Sequence, residues 1–189
     1  MRYRSETGFT LIDMMVVVAV FGILAAVAIP SLSAVSERMK LGQGQREVER
    51  ELQTARLKAV TANRKIRVRF NCPVATSYRM VEVIGTAADD AANRCSESAY
   101  PAVAPDNNPM TRPNHDGPIR YLPKDVSFGA SSALEFAPDG TVKYQSGGAF
   151  IPVPDPDGTA ITLTKVAMPD VAKITVNRLG KIQLVQLPY

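Results

Sequence analysis

Four side chains in this 189-residue chain stand where they could do chemistry: Asp13, Cys72, Cys95 and His115. Asp13 sits near the start of GFTLIDMMVVVAVFGILAAVAIP, Gly8 to Pro30, which is otherwise almost wholly apolar. A carboxylate costs a few kcal/mol if it enters an apolar layer, so it calls for a cationic partner. The sequence turns from polar to apolar between Gly8 and Phe9. A peptidase cutting there would create a new α-amino group at Phe9, with Asp13 as the fifth residue of the shortened chain. Between packed helices of neighbouring copies, offset by a small axial step, amine and carboxylate would form an ion pair in a low dielectric. Such a pair sets register.

Cys72 and Cys95 are the only cysteines. An even pair in an exported domain suggests one disulfide. It would close a loop of roughly 24 residues and contribute about 3 kcal/mol on the chain-entropy account. His115 is the sole histidine, which excludes a His-rich metal site, and its proline-rich surroundings point to a solvated side chain. DPDG, Asp155 to Gly158, has too few oxygen ligands at fixed spacing for a calcium loop and reads as a turn. GxSxG, P-loop and GxGxxG patterns are absent. The reading is a protein that is not an enzyme and uses no cofactor and no metal.

The elements that must position these residues start with the apolar run. No charge occurs from Met14 to Ser36, 23 residues or about 35 Å of helix, enough to span a bilayer. Arg2 and Arg4 precede it, so the N-terminus is expected to stay cytoplasmic and the rest to cross. A secretory signal peptide is the competing reading, with Ala25–Ala28 as its cleavage site; Asp13 argues against it. Gly22 and Pro30 weaken the helix between them, which predicts either a kink or a stretch that melts at modest cost.

Beyond Pro30 the pattern becomes amphipathic. Leu32, Val35 and Met39 keep helical spacing, LGQGQ (Leu41–Gln45) is a weak point, and Val48, Leu52, Ala55, Ala59 and Ala62 recur at 4-3-4-3. Glu47, Arg50, Glu51, Arg56 and Lys58 take the other faces. The stripe predicts a helix laid on its own domain's sheet. Alternating runs predict strands at Lys65–Phe70 and Tyr78–Ile84, then at Ser132–Phe136, Thr141–Tyr144, Ala160–Val166, Lys173–Val176 and Lys181–Val185. FAPDGTV (Phe136–Val142) signals a hairpin turning at Asp139-Gly140. The segment Pro101–Pro118, with five prolines, is expected to be irregular. The fold class is α+β, a long N-terminal helix packed on a C-terminal β-sheet head. The expected divisions are 1–8, a cytoplasmic leader; 9–30, a membrane and assembly helix; 31–63, an amphipathic helix; and 64–189, the head.

The stretch from Gly8 to Pro30 resembles the leader and N-terminal helix of type IV pilins and type II secretion pseudopilins. The resemblance rests on Gly8, Phe9, the following TLI, Asp13, Gly22 and Pro30. It implies cleavage after Gly8, N-methylation of Phe9 by a prepilin peptidase and methyltransferase, and pairing of Asp13 with a neighbour's amine during assembly. It also implies that the segment between Gly22 and Pro30 is extended in the fibre. The family usually has glutamate where this chain has Asp13, which is one methylene shorter. ELQTARLKAVTANRKIRVRF, LEFAPDGTV and ITVNRLGKIQL, in that order, resemble the GspH/FimT minor pilins. That resemblance implies a head of two β-sheets and a low-copy subunit that primes assembly or sits at the tip. The implied partners are other minor pilins, major pilin subunits and the inner-membrane assembly platform. The implied location is the inner membrane with a periplasmic head, and then the fibre.

Three roles compete: a minor pilin, a minor pseudopilin of type II secretion, and a DNA-binding pilin. Net charge is +4, too diffuse to argue nucleic-acid binding by itself. The candidate DNA contacts are Arg178 and Lys181, with Arg112 and Arg120 in the long loop. Arg67 and Arg69 are assigned to the solvated outer face of a strand.

Overall fold

The computed structural model describes residues 10–91, 93–102, 116–166, 168–169 and 171–185, with the side chains of Pro30, Ser31 and Ala34 outside that description. The chain divides into two compact units, Met1–Met39 and Lys40–Tyr189. Helix α1, Leu11–Thr61, contributes to both.

In the first unit α1 presents a surface of exposed apolar side chains from Leu11 through Ile29, continued by Leu32, Val35 and Met39. Among the described residues none covers this surface, and an exposed apolar surface of this extent is one that lipid or neighbouring protein would cover favourably.

In the second unit one stripe of α1 enters the core. Leu41, Val48, Leu52, Ala55 and Ala59 are fully buried, at the spacing that places side chains on one helix face. Gln45 lies on the same stripe. Its amide donates to the carbonyls of Lys173 and Val185 at 2.9 and 3.2 Å, so its burial is compensated. The helix runs unbroken through Gly42 and Gly44 of LGQGQ. At Gly44 an added Cβ would meet Pro123 Cδ at 3.3 Å, so this glycine admits a close neighbour. The helix ends in a Schellman motif. Asn63 adopts φ 50°, Arg64 N donates to Ala59 O and Asn63 N to Val60 O.

Ten strands follow among the described residues: β1 (Lys65–Phe70), β2 (Ser77–Val83), β3 (Arg120–Tyr121), β4 (Val126–Phe128), β5 (Leu134–Phe136), β6 (Val142–Ser146), β7 (Ala149–Pro152), β8 (Thr159–Lys165), β9 (Val171–Val176) and β10 (Ile182–Val185). They form two antiparallel sheets, one ordered β3-β2-β1-β5-β6-β7 and the other β10-β9-β8-β4. Ile66, Val68, Leu134 and Phe136 of the first sheet and Ile161, Leu163, Ile174 and Val176 of the second share one core with the α1 stripe. Phe128 of β4 meets Phe70 at 5.0 Å and Tyr78 edge-on at 5.6 Å. The β5–β6 hairpin turns at Asp139-Gly140, where Gly140 has φ +83° and the Asp139 carboxylate accepts from Thr141. Strands β3, β4 and β7, of two to four residues, are too short to show as alternation in the sequence.

The outer face of β1–β2 departs from the sequence expectation. Arg67 is only 5% exposed, and β2 is buried on both faces. The reason is a covering layer: the segment after β2 folds back over this face. It carries a short 3₁₀ helix, Ala87–Asp90, and Arg94, and it returns at Asp116. DPDG is a turn, with Gly158 at φ +72° and its amide donating to Pro154 O.

Candidate assembly site

The described part of the N-terminal segment opens with Thr10 and Asp13. Thr10 N donates to Asp13 Oδ2 at 3.0 Å, and Thr10 Oγ1 donates to the same oxygen at 2.7 Å. Asp13 N donates back to Thr10 Oγ1 at 3.3 Å. This is a reciprocal capping box with Asp13 as the acidic member. Threonine followed three residues later by an acid is the sequence signature of such a box. The carboxylate is therefore oriented within its own chain, with these bonds converging on one of its two oxygens. From Leu11 to Ile29 the helix is long and apolar enough to cross a membrane, and none of that stretch is buried within the chain. Among the described residues Gly22 has no neighbour within 4 Å of an added Cβ. The helix is continuous across Gly22 and residue 30. Gly8 and Phe9 lie outside the described residues.

In the head, Cys72 and Cys95 form a disulfide with Cα atoms 5.4 Å apart. It joins the end of β1 to the segment covering the outer sheet face. Beside it Arg79, fully buried, donates to the carbonyls of Gly117 (2.8 Å), Arg94 (3.2 Å), Ser96 (3.2 Å) and Tyr100. Arg94, also fully buried, donates to both oxygens of Asp116 and to Glu82 O, and stacks over Tyr100. Burial pushes the Asp116 carboxyl above its ordinary range against the pull of Arg94, and burial pulls the Arg79 guanidinium down against the pull of Asp116. Arg67 pairs with Glu135 at 3.0 Å and with Asp90 at 2.7 Å, and lies over Phe150. The disulfide, Arg79 and Arg94 together hold residues 94–100 and 116–117 against this sheet face. Alkylation of the oxidised, unfolded chain is expected to label neither cysteine, and prior reduction to expose both; labelling of both without reductant would contradict the bridge.

Residues 3–29 match the family signature described as the prokaryotic N-terminal methylation motif. Over 75 residues the chain is 39% identical to two fimbrial proteins of Pseudomonas aeruginosa, a match covering 40% of this chain and 47% of theirs. The chain thus spans about half the length of the curated relatives it matches. Among solved structures it is similar to the type IV minor pilin FimU of Pseudomonas aeruginosa, at 15% identity and TM-score 0.48, covering 82% of this chain and 96% of that one. It is also similar to the minor pseudopilin EpsH of the Vibrio cholerae type 2 secretion system, at 12% identity and TM-score 0.45, covering 77% and 96%.

The methylation motif contains Gly8, Phe9, Asp13 and Gly22 and ends just before Pro30. The other candidates lie in the head. Arg178 and Lys181 are exposed around the β9–β10 turn, near Arg56, whose Nη2 donates to Leu179 O at 3.1 Å. Arg120 is exposed and stands 3.9 Å from Glu51. Arg112 and His115 lie outside the described residues. Among the described residues no group of three or more His, Cys, Asp or Glu could hold a metal ion.

Proposed function

We propose that this chain is a minor pilin of a type IV pilus, a structural, non-enzymatic subunit that primes assembly or sits at the fibre tip. The observation that carries the reading is the methylation motif running directly into an exposed apolar helix whose one carboxylate, Asp13, stands at its start. In this reading residues 1–8 are a leader removed by a prepilin peptidase. Residues 9–30 anchor the subunit in the inner membrane and later pack among other pilins. Residues 31–63 extend the helix, and 64–189 form the displayed head. The oxidised Cys72–Cys95 pair fits a head folded outside the cytoplasm.

The apolar helix is soluble only when lipid or neighbouring helices cover it, and exchanging one cover for the other is what assembly from a membrane requires. Deleting the gene is expected to reduce surface pili sharply, and its return on a plasmid to restore them. The chain should be found in sheared fibres at far lower copy than the main subunit. Normal piliation in the deletion strain, with the chain absent from fibres, would overturn the reading.

A further inference from the structure

Strand β10 is an edge strand, with β9 on one side and no described strand on the other. Asn177 N donates to Lys181 O, and the register pairs Gln183 with Thr175 and Val185 with Lys173. Antiparallel alternation then turns the backbone groups of residues 181, 183 and 185 toward β9 and those of Ile182 and Leu184 outward. Beside this edge lies a groove of about 560 Å³ between β10 and the outer face of α1. Its apolar lining includes Leu57 and Val60, 63% and 50% exposed, together with Ile182. Arg56 and Lys181 line it as cations, and Arg178 is exposed nearby. None of the residues described as lining it is acidic. The bond from Arg56 to Leu179 O holds that guanidinium at the rim.

An unpaired strand edge, an apolar floor and a cationic rim together fit an added strand with alternating apolar and acidic side chains. Duplex or single-stranded nucleic acid fits less well. Two lining cations neutralise few phosphates, and no aromatic ring lines the groove to stack a base. We propose that this groove takes an extended acidic, apolar segment of a neighbouring fibre subunit as a fifth strand on β10. The identity of the partner rests on the subunit reading above; the chemistry of the groove does not.

The test uses the full chain in detergent micelles with fluorescein-labelled octapeptides. One alternates valine and glutamate, one alternates valine and lysine, and one is the glutamate peptide with alternate backbone nitrogens methylated. A short DNA duplex is the fourth probe. Saturable binding of the glutamate peptide is expected, at least about tenfold weaker for the lysine and the N-methylated peptides. Arg56→Glu combined with Lys181→Glu, both at exposed positions, should weaken glutamate-peptide binding by at least about tenfold. Failure of the glutamate peptide to bind would overturn the proposal. So would equal binding of the N-methylated peptide, or DNA binding that alone is lost in the double variant. Because this assay needs no fibre, its failure leaves the subunit reading standing. A chain that binds the peptide but never enters fibres keeps the groove's chemistry and loses the named partner.

Discussion

Asp13→Ala is expected to lower incorporation of the chain into fibres about a hundredfold or more while leaving the head folded. The core of the head begins at Leu41, so its packing does not reach Asp13. Two things are lost with the carboxylate. One is the exposed cap on Thr10, a small local effect. The other, under the proposed assembly role, is the counter-charge for a neighbour's Phe9 amine, and loss of one partner of a buried pair costs about 3–5 kcal/mol. Since about 1.4 kcal/mol is tenfold, the second effect dominates. Asp13→Asn separates them, because the amide oxygen still accepts from Thr10 but carries no charge. Asn is therefore expected to fail nearly as badly as Ala, and Asp13→Glu to assemble, having charge and longer reach. Fibre content normalised to membrane content gives the measurement. If Asn assembles like wild type, Asp13 is only a helix cap. If Ala does so too, the chain occupies a position without a neighbour above it, or the pair is not formed.

The second large effect lies in the head. Asp116→Ala is expected to destabilise it by about 3–5 kcal/mol, because Arg79 and Arg94 would remain buried with their shared counter-charge gone. The upward shift of the Asp116 carboxyl by burial shows that its charge is itself held at a cost. Such a cluster contributes little over an apolar core of equal volume, yet it is expensive to break from one side. Asp90→Ala is the contrast. Its carboxylate sits 2.7 Å from Arg67, but its side chain is 73% exposed, so the loss should stay within about 1 kcal/mol. Urea unfolding of the full chain in micelles, followed by near-ultraviolet circular dichroism, compares the two. Equal losses would mean that the buried cluster is not what clamps the covering segment.

The α1 stripe, β1 and the β5–β6 hairpin were legible because each depends on spacing within a few residues. Val48, Leu52, Ala55 and Ala59 are helical neighbours, and Asp139-Gly140 is a local turn signal. The outer face of β1–β2 was not legible. Alternation placed Arg67 away from the core, correctly, but could not show that Asp90, 23 residues on, and Phe150 would cover it. The same holds for Arg79, whose partners at Gly117 and Tyr100 come from far along the chain. At Gly44 the neighbour that the glycine admits, Pro123, comes from a distant loop and has no local signal in LGQGQ. At the N-terminus the isolated charge of Asp13 is plain in the sequence, and its local bond to Thr10 is visible only in the structure. That carboxylate therefore has a cis role in this chain, beside the trans role proposed for it in assembly.

The central claim is that the chain becomes an assembly subunit by processing at the polar-to-apolar junction, which places a free amine within reach of a neighbour's Asp13. The most direct measurement is the intact mass and N-terminal peptide of the chain isolated from cell envelopes. The account predicts a chain that begins at Phe9 and carries one methyl group on its α-nitrogen. A chain that still begins at Met1, or one cut after Ala28 to begin at Ile29, would contradict it.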